Sequence, residues 1–254
     1  MLVALVRDVS PSIAHCELTH VTRVPISFER AVKQHEAYVA LLAELGCTIE
    51  RLPGLPDAPD AVFVEDTAIV LPEVAIVTRP GAESRRIETA STADVLSRYR
   101  PLVYIEAPGT IDGGDVIVHR RTVYVGDSSR SNPEGAARLS EIVAAFGYDV
   151  RRVPMQDCLH LKSAACYAAD GVLLHNPSWV NADAFEASLR LSVHPDEPAA
   201  ANVLRVGHRV VLDASHGHMA DALRALGLQV HPVDLSELAK AEGAVTCCSV
   251  LVGE

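Results

Sequence analysis

Short paired β-type segments recur along this chain at regular intervals, and this repetition constrains the fold more than any other feature. Each pair consists of two runs rich in β-branched residues, joined by a turn. Four pairs are contiguous: Val62–Leu71 with Glu73–Thr78, Gly114–His119 with Thr122–Gly126, His160–Ala168 with Gly171–His175, and Ala201–Val206 with Arg209–Asp213. A fifth pair is divided between the chain ends, Leu2–Arg7 and Val245–Val252. Pairs that begin about 40 to 50 residues apart predict a circular array of similar units.

Three segments between the pairs have the periodicity of amphipathic helices and recognisable helix ends. They are Phe28–Leu45, Asn132–Phe146 and His216–Leu226. Ser27 is suited to cap the first helix, Pro133 occupies the first position of the second, and a glycine follows each of the three. A strand-like run comes after every helix, so the sequence predicts α/β units of the order ββαβ.

The predicted architecture is a single α/β domain of residues 1–254, closed into a ring by pairing of its two ends. Closure of this kind removes an exposed sheet edge. No linker rich in serine or glycine divides the chain. A doubly wound α/β sheet is the alternative architecture, but no glycine-rich phosphate-binding loop follows a predicted strand.

The chain carries a formal net charge of −11, which argues against a nucleic-acid partner because phosphates require a positive surface. An acidic surface suits a small cationic substrate, although it is also ordinary for cytosolic proteins. No apolar run approaches the roughly 18 residues that cross a bilayer, and Arg7 interrupts the N-terminal run too early for a signal peptide. The six cysteines lack Cys-x-x-Cys spacing. We therefore expect a cytoplasmic protein with free thiols and no membrane partner, as a monomer or a homodimer.

Chemically reactive side chains fall at the starts of the units, where the loops of a closed array converge on its axis. These residues are Asp60, Glu65, Asp66, Asp112, His160 and Cys247. A cysteine, a histidine and a carboxylate brought together by the fold are the minimum set for nucleophilic catalysis by a thiol. Their common position in the units therefore indicates an enzyme, even though they lie far apart along the chain.

Each of these features also has a purely structural interpretation. Free cysteine is among the most buried residue types, so Cys247 could be a core thiol, with Cys248 facing the opposite side of a strand. Asp112–Asp115 could form a simple turn, whereas the functional interpretation gives its two glycines a close approach to a ligand. The arginines of Arg79–Arg86 could be solvated at a helix start or could clamp a carboxylate. A zinc site at the two cysteines is disfavoured, since they supply half of a tetrahedral set.

Five sequence motifs, in order along nearly the whole chain, are shared with one enzyme family. They are PDAVFVED (59–66), TRPGAESRR (78–86), DGGDV (112–116), HLKS (160–163) and TCCSVL (246–251). On these motifs the chain resembles dimethylarginine dimethylaminohydrolase, of the guanidino-group-modifying (pentein) superfamily. The resemblance implies a five-bladed α/β propeller, which agrees with five ββαβ units closed by the two chain termini.

The resemblance also implies hydrolysis of Nω-methylated L-arginine (mono- or asymmetric dimethylarginine) to L-citrulline. Methylamine or dimethylamine would leave through a covalent cysteine thiouronium intermediate, with neither a metal nor an organic cofactor. Arginine deiminase, which releases ammonia from unmethylated arginine, is an alternative. It typically has Arg-Asp where this chain has Glu65-Asp66, and His-x-Asp where this chain has His160-Leu161-Lys162. A non-catalytic arginine-binding pentein and a redox-sensing thiol protein are further alternatives.

The same motifs carry over the site residues of the family. Cys247 is then the nucleophile, His160 the general acid and base, and Asp112 the carboxylate that supports His160 and the guanidinium. Six further residues are assigned to the substrate: Glu65 and Asp66 to its guanidinium, Asp60 to its α-amino group, Arg85 and Arg130 to its α-carboxylate, and Leu18 through a backbone carbonyl. Leu18 belongs to an entrance loop before Pro25, and whether this loop is a lid stays open.

Overall fold

The computed structural model describes residues 2–253, which contain six α-helices and fifteen β-strands. The helices are α1 (Phe28–Glu44), α2 (Thr89–Leu96), α3 (Pro133–Ala144), α4 (Leu161–Ala164), α5 (Gly217–Ala225) and α6 (Ser236–Ala239). The strands are, in chain order, β1 (Val3–Val6), β2 (Thr48–Arg51), β3 (Ala68–Val70), β4 (Ala75–Val77), β5 (Leu102–Tyr104), β6 (Val116–His119), β7 (Thr122–Gly126), β8 (Asp149–Val153), β9 (Ala165–Ala169), β10 (Val172–His175), β11 (Leu189–Ser192), β12 (Leu204–Val206), β13 (Arg209–Asp213), β14 (Gln229–Val233) and β15 (Val250–Val252).

The strands form five three-stranded sheets that share one topology. The sheets are β15-β1-β2, β3-β4-β5, β6-β7-β8, β9-β10-β11 and β12-β13-β14. In each sheet the middle strand runs antiparallel to one neighbour and parallel to the other. The four contiguous pairs predicted from the sequence are the antiparallel pairs of four of these sheets. The prediction of five repeated α/β units, a five-bladed α/β propeller, is confirmed.

The two chain ends meet in the first sheet. Strand β15 runs antiparallel to β1, with Val3 opposite Val252 and Leu5 opposite Val250. Strand β2 pairs with the other edge of β1 in parallel orientation. Both edges of β1 are therefore paired, and hydrogen bonds between the first and last strands of the chain close the ring, as predicted.

The predicted helices α1, α3 and α5 form, and the first two have the expected caps. The side chain of Ser27 accepts a hydrogen bond from the Arg30 amide, and that of Asn132 accepts one from the Gly135 amide at 2.7 Å. Each of these helices is followed by a glycine with positive φ: Gly46, Gly147 and Gly227. A glycine is favoured there because a left-handed residue ends the helix. Between residues 2 and 253, no helix combines the length and apolar character needed to cross a bilayer.

One unit departs from the predicted ββαβ order. The segment between β10 and β11 contains only a short 3-10 helix, Ala182–Ala184, in place of an α-helix. The side chains of Asn176 and Asn181 accept hydrogen bonds from backbone amides two residues further on, at 2.9 and 3.0 Å. Such bonds compete with helical ones, and Pro177 has no amide hydrogen to donate. The segment therefore folds as a series of turns.

The unit starts also differ from the sequence prediction, because several predicted strands begin later than expected. The segment Val64–Thr67 is a 3-10 helix, the single turn of α4 precedes β9, and the C-terminal strand begins only at Val250. Contacts between units hold these bends, as where the carbonyl of Cys247 accepts a hydrogen bond from the Glu65 amide at 3.1 Å. The abundance of β-branched residues predicted strands at these positions. Composition carries no information on contacts between distant segments, so it could not indicate the bends.

Candidate active site

One small cavity gathers six of the nine side chains that the sequence assigned to a site. These six are Asp60, Asp66, Arg85, Arg130, His160 and Cys247. The rest of its lining comes from Glu17, Phe63, Leu159, Ala241 and Glu242, and its volume is about 20 Å³. The fold thus places the cysteine and the histidine on one surface, together with carboxylates and two arginines. The catalytic roles of these residues stay predictions.

The imidazole of His160, directly before α4, is held by a buried carboxylate. Its Nε2 lies 3.0 Å from Oδ2 of Asp112, which has no solvent exposure. The other oxygen of Asp112 accepts a hydrogen bond from the Gly81 amide at 2.9 Å. Asp115 fixes the start of α4 by accepting a hydrogen bond from the Leu161 amide at 3.1 Å. Because Nε2 is engaged, Nδ1 is the nitrogen left for proton exchange.

The charges around His160 keep its ring protonated at neutral pH. Burial lowers the pKa of His160, but Asp66, Asp115 and the hydrogen bond with Asp112 outweigh burial and raise the pKa to about 9. Burial raises the pKa of Asp66, yet the positive charges of His160 and Arg85 outweigh it and lower the pKa to about 2. An imidazolium therefore faces an ionised carboxylate, with Nδ1 3.8 Å from Asp66 Oδ1. A protonated imidazole in this position can act as a general acid.

The two glycines after Asp112 allow close contacts within the protein. A Cβ atom at Gly114 would lie 2.6 Å from His160 Nδ1 and 2.8 Å from Asp66 Oδ1. A Cβ atom at Gly113 would lie 2.0 Å from the Glu65 carbonyl oxygen. In addition, the Gly114 amide donates a hydrogen bond to Asp66 at 2.9 Å. The functional interpretation of these glycines, a close approach to a ligand, stays a prediction; within the described chain their nearest groups are the His160 ring, the Asp66 carboxylate and the Glu65 carbonyl.

Cys247 lies in a turn before β15 and is half-buried, whereas Cys248 is fully buried. The predicted alternation along a strand does not apply, because the strand begins three residues later. Tyr38 of α1 supports this turn by donating a hydrogen bond to the Val245 carbonyl at 2.8 Å. Burial raises the pKa of the Cys247 thiol well above its usual value, and the charges of Glu65 and Asp66 raise it further. In the free protein, the sulfur is therefore protonated at neutral pH.

Arg85 is buried and already paired with carboxylates of the protein. Its guanidinium binds Asp66 and makes two hydrogen bonds to Glu88, at 2.8 and 3.1 Å. It also donates to the backbone carbonyl of Phe63 at 2.9 Å. A substrate carboxylate near Arg85 would thus share a cation that two other carboxylates already neutralise.

Arg130 has a different environment, although it lines the same cavity. Its side chain is 9% exposed, and it forms no ion pair with any carboxylate of the described chain. Within residues 2–253, its one side-chain hydrogen bond goes to Thr19 Oγ1 at 3.3 Å. A buried cation without an ionic partner favours binding of an anionic group.

Asp60 lies in the same cavity and is nearly buried. Burial raises the pKa of Asp60 to about 6, although Arg85 and the hydrogen bond from the Glu17 amide, 3.1 Å long, offset part of this effect. The carboxylate is therefore ionised at neutral pH but gains from a cationic partner.

Glu65 and Leu18 are the two predicted residues that neither line the cavity nor contact His160, although Glu65 is close enough to Cys247 for its charge to raise the pKa of that thiol. Glu65 pairs with Lys162 Nζ at 2.6 Å, accepts a hydrogen bond from Thr246 Oγ1 at 2.7 Å, and lines a separate cavity of about 320 Å³. Leu18 packs against the apolar core. Their assigned roles stay predictions.

Two groups of side chains have the ligand types and spacing for a metal ion. In the first, one ligand atom each from Asp66, Asp112 and His160 lies within 4.8 Å of the others. A histidine must be neutral to bind a metal, and the raised pKa of His160 opposes this. The second group is Asp8, His35 and Glu36. Arg51 already pairs with both of its carboxylates, so neither group is built for a resident cation.

Sequence reasoning missed several residues of the site. Glu88 lies three residues after Arg85, and this spacing of opposite charges was a usable signal for an ion pair. Glu17 is adjacent to the predicted Leu18. Glu242 gave no signal, since it follows α6 in a segment without any recognised motif.

A family model described as N,N dimethylarginine dimethylhydrolase, eukaryotic, matches residues 20–170. The N(G),N(G)-dimethylarginine dimethylaminohydrolase of Streptomyces coelicolor is 40% identical over 253 residues, covering 99% of this chain and 97% of that protein. Among solved structures, a cysteine-to-serine variant of the Pseudomonas aeruginosa enzyme complexed with citrulline superposes with a TM-score of 0.93, at 32% identity and 98% coverage of both chains.

A more distant structure shares the fold alone. The N-terminal domain of ArgZ, an arginine dihydrolase from cyanobacteria, superposes with a TM-score of 0.86 at 19% identity, covering 100% of this chain and 99% of that one. The identity to the Streptomyces coelicolor protein over nearly the full length of both chains decides the family. This chain therefore belongs to the dimethylarginine dimethylaminohydrolase family and is a hydrolase.

Proposed function

We propose that this protein hydrolyses Nω-methylated L-arginine, either monomethyl- or asymmetric dimethylarginine, to L-citrulline and methylamine or dimethylamine. The observation that carries the proposal is the single cavity lined by Cys247, a protonated His160 and ionised carboxylates. The name of the Streptomyces coelicolor relative and the citrulline complex of the Pseudomonas aeruginosa enzyme agree with it. We also propose that residues 1–254 act as one catalytic domain.

The substrate is a zwitterion with a cationic side chain, and the cavity offers complementary charges. We assign the guanidinium to Asp66, with Asp112 and Glu65 contributing, and the α-amino group to Asp60. The α-carboxylate is assigned to Arg130 and Arg85. Arg130 is the stronger of the two anchors, since it has no competing ion pair whereas Arg85 binds Asp66 and Glu88. Leu18 is proposed to contribute its backbone carbonyl when the entrance loop closes over the substrate.

The first half of the reaction forms a bond between sulfur and carbon. The bound guanidinium lies beside Cys247 and favours its thiolate, which burial and the nearby carboxylates otherwise oppose. The thiol proton is released to solvent as the substrate binds. The thiolate attacks the central guanidinium carbon. His160 transfers its proton to the departing amine, so that the carbon–nitrogen bond breaks and a thiouronium remains on the sulfur.

The second half restores the enzyme. The neutral His160 removes a proton from a water molecule, and the hydroxide attacks the thiouronium carbon. The carbon–sulfur bond then breaks, the hydroxyl proton of the intermediate passes to the departing sulfur, and neutral citrulline leaves with the Cys247 thiol restored. Asp112 holds the imidazole in one orientation throughout, with its Oδ2 3.0 Å from Nε2. Solvent takes the thiol proton of Cys247 in the first half, and His160 mediates the proton transfers to the amine and from the water.

A citrulline assay with asymmetric dimethylarginine, monomethylarginine, arginine and agmatine tests the substrate class. We expect turnover of the methylated arginines, with arginine poor and agmatine, which lacks the α-carboxylate, poorer still. Preference for arginine would support the arginine deiminase alternative.

In Cys247→Ser we expect turnover to fall by at least about 10³-fold while binding of substrate persists. Cys248→Ser is the matched control, because that thiol is fully buried and does not line the cavity. Normal turnover of Cys247→Ser would disprove the assignment of Cys247 as the nucleophile.

We propose a reducing cytoplasm as the site of action. All six cysteines are free, and the proposed nucleophile must be reduced to act. The net charge of −11 agrees with a small cationic amino acid as partner and argues against nucleic acid.

A further inference from the structure

One carboxylate after α6 lines the cavity and binds three successive backbone amides of the chain before α1. Oε2 of Glu242 accepts a hydrogen bond from the Thr19 amide at 2.7 Å. Its Oε1 accepts hydrogen bonds from the amides of His20 and Val21, at 2.6 and 3.2 Å. Glu242 also lines the cavity that contains Cys247 and His160. A single side chain thus fixes the Thr19–Val21 segment beside the site.

The backbone of Glu242 has a conformation that glutamate rarely adopts. Its φ is +58°, in the left-handed region that normally favours glycine or asparagine. Two hydrogen bonds at the end of α6 hold it there: the amide of Glu242 donates to Ala239, and that of Gly243 donates to Leu238, at 3.1 and 3.0 Å. A glutamate at a position suited to glycine indicates that the carboxylate itself has a role there.

The same contacts reach the proposed carboxylate anchor. Thr19, whose amide binds Glu242, accepts a hydrogen bond through Oγ1 from the Arg130 guanidinium at 3.3 Å. Movement of Thr19 would therefore free Arg130 from its one side-chain hydrogen bond among the described residues. Glu242 thus acts on Arg130 through Thr19.

The cavity is too small to admit a substrate as it stands. Its volume of about 20 Å³ is room for one or two water molecules and is far below the roughly 300 Å³ of a typical small-molecule site. An arginine derivative can enter only if part of the lining moves. The Thr19–Val21 segment is exposed and is attached to the lining through Glu242, and Thr19 also contacts the lining residue Arg130.

We propose that Glu242 is a positioning residue: its carboxylate latches the Thr19–Val21 segment over the cavity and, through Thr19, holds Arg130 in place for the substrate carboxylate. The latch opens to admit substrate and re-forms around it. The role in catalysis rests on the proposed function, whereas the latch itself is a property of the free protein.

Hydrogen exchange of the free protein tests the latch without any substrate. The variant Glu242→Gly removes the carboxylate and suits the left-handed backbone, so the fold is retained. We expect exchange at the amides of Thr19, His20 and Val21 to accelerate by roughly tenfold or more, as for loss of charged hydrogen bonds. Glu44→Gln, an exposed glutamate without a hydrogen bond or ion pair among the described residues, should leave exchange unchanged. Unchanged exchange in Glu242→Gly would overturn the latch.

Steady-state kinetics test the effect on Arg130. In Glu242→Gly we expect KM for asymmetric dimethylarginine to rise roughly tenfold, with kcat within about twofold. Glu242→Gln, which keeps one acceptor oxygen, should fall between this variant and the parent. Dimethylated agmatine, which lacks the carboxylate, should show a smaller change in KM. An equal change for both substrates, or a loss confined to kcat, would overturn positioning through Arg130. If the parent turns over no methylated arginine, the proposed function fails while the exchange experiment still decides the latch.

Discussion

At the scale of single residues, the two arginines of the cavity differ in what they bind. We therefore expect one substitution to reduce stability and the other to weaken substrate binding. Arg85→Ala leaves Asp66 and Glu88 buried without their shared cation, which costs about 3–5 kcal/mol of stability. Arg130→Ala breaks no ion pair, so we expect little change in stability but a rise in KM worth about 1.5–3 kcal/mol. Urea unfolding and steady-state kinetics of both variants check this. Equal stability of the two variants would contradict the pairing described for Arg85.

A second prediction concerns the charge of His160. Its pKa is raised to about 9 in the folded protein, against about 6.5 when unfolded. Because the pKa is higher in the folded protein, protonated His160 contributes fully to the free energy of unfolding below about pH 6.5, and this contribution is lost as the pH rises through 9. The difference in unfolding free energy between the parent and His160→Asn should therefore shrink across this window, by at most roughly 3 kcal/mol. Urea unfolding at pH 6 and pH 9.5 measures it, and a difference that grows with pH would refute the assigned charge.

A third prediction uses the space around Gly114. In Gly114→Ala the new methyl group meets His160 Nδ1 and Asp66 Oδ1, both closer than 3 Å. Those groups must shift, and a displacement of this size at a proton donor costs roughly 10²-fold in kcat. Gly54→Ala is the control, because a Cβ atom there has no neighbour within 4 Å. Activity of Gly114→Ala equal to that of the control would show that His160 does not need its present position.

At the scale of elements, helix α1 supports the segment that carries the proposed nucleophile. Tyr38 donates a hydrogen bond to the Val245 carbonyl and lies 2.7 Å from Ser249 Oγ. Tyr38→Phe leaves these buried groups unsatisfied, so we expect a loss of about 1–3 kcal/mol and a reduced kcat. Tyr99→Phe is a suitable control, since its hydroxyl meets Glu50 in a partly exposed position. Thermal unfolding and citrulline release measure both effects, and identical behaviour of the variants would argue against support of the turn by α1.

The elements that the sequence predicted well are those whose signals are local. Caps at Ser27 and Asn132 and glycines after the helices depend only on neighbouring residues, and helices α1, α3 and α5 formed as predicted. The unit starts depend instead on bonds between segments far apart in sequence, such as that from the Glu65 amide to the Cys247 carbonyl. Composition and periodicity carry no information on these long-range bonds. Strands were therefore predicted where turns occur.

At the scale of the whole molecule, the even spacing of the strand pairs was sufficient to predict a ring of five units. The shared motifs in turn contain five of the six predicted side chains that line one cavity, and the family resemblance supplied the sixth, Arg130. The contacts that hold these side chains were only partly predictable: the spacing of Arg85 and Glu88 was a signal for an ion pair, whereas nothing in the sequence pointed from Lys162 to Glu65 or from Glu242 to Thr19. For a repeated fold, the sequence therefore indicates where the site residues meet more fully than it indicates which contacts hold their side chains in place.

Because strand pairing and apolar packing join β1 to β15 without a covalent bond, the position of the ends should be free to change. A circular permutant that links the termini and opens the chain between Gly207 and His208, an exposed turn between β12 and β13, keeps every pairing of the five sheets. We expect it to fold and to retain kcat within about threefold, as insertions and new ends at exposed turns are tolerated. A permutant opened between Gly113 and Gly114 is the contrast: it places two new charged ends beside His160 and Asp66 and should be inactive. Citrulline release and circular dichroism of both proteins decide the matter, and failure of the first permutant to fold would show that closure of the ring requires the natural ends.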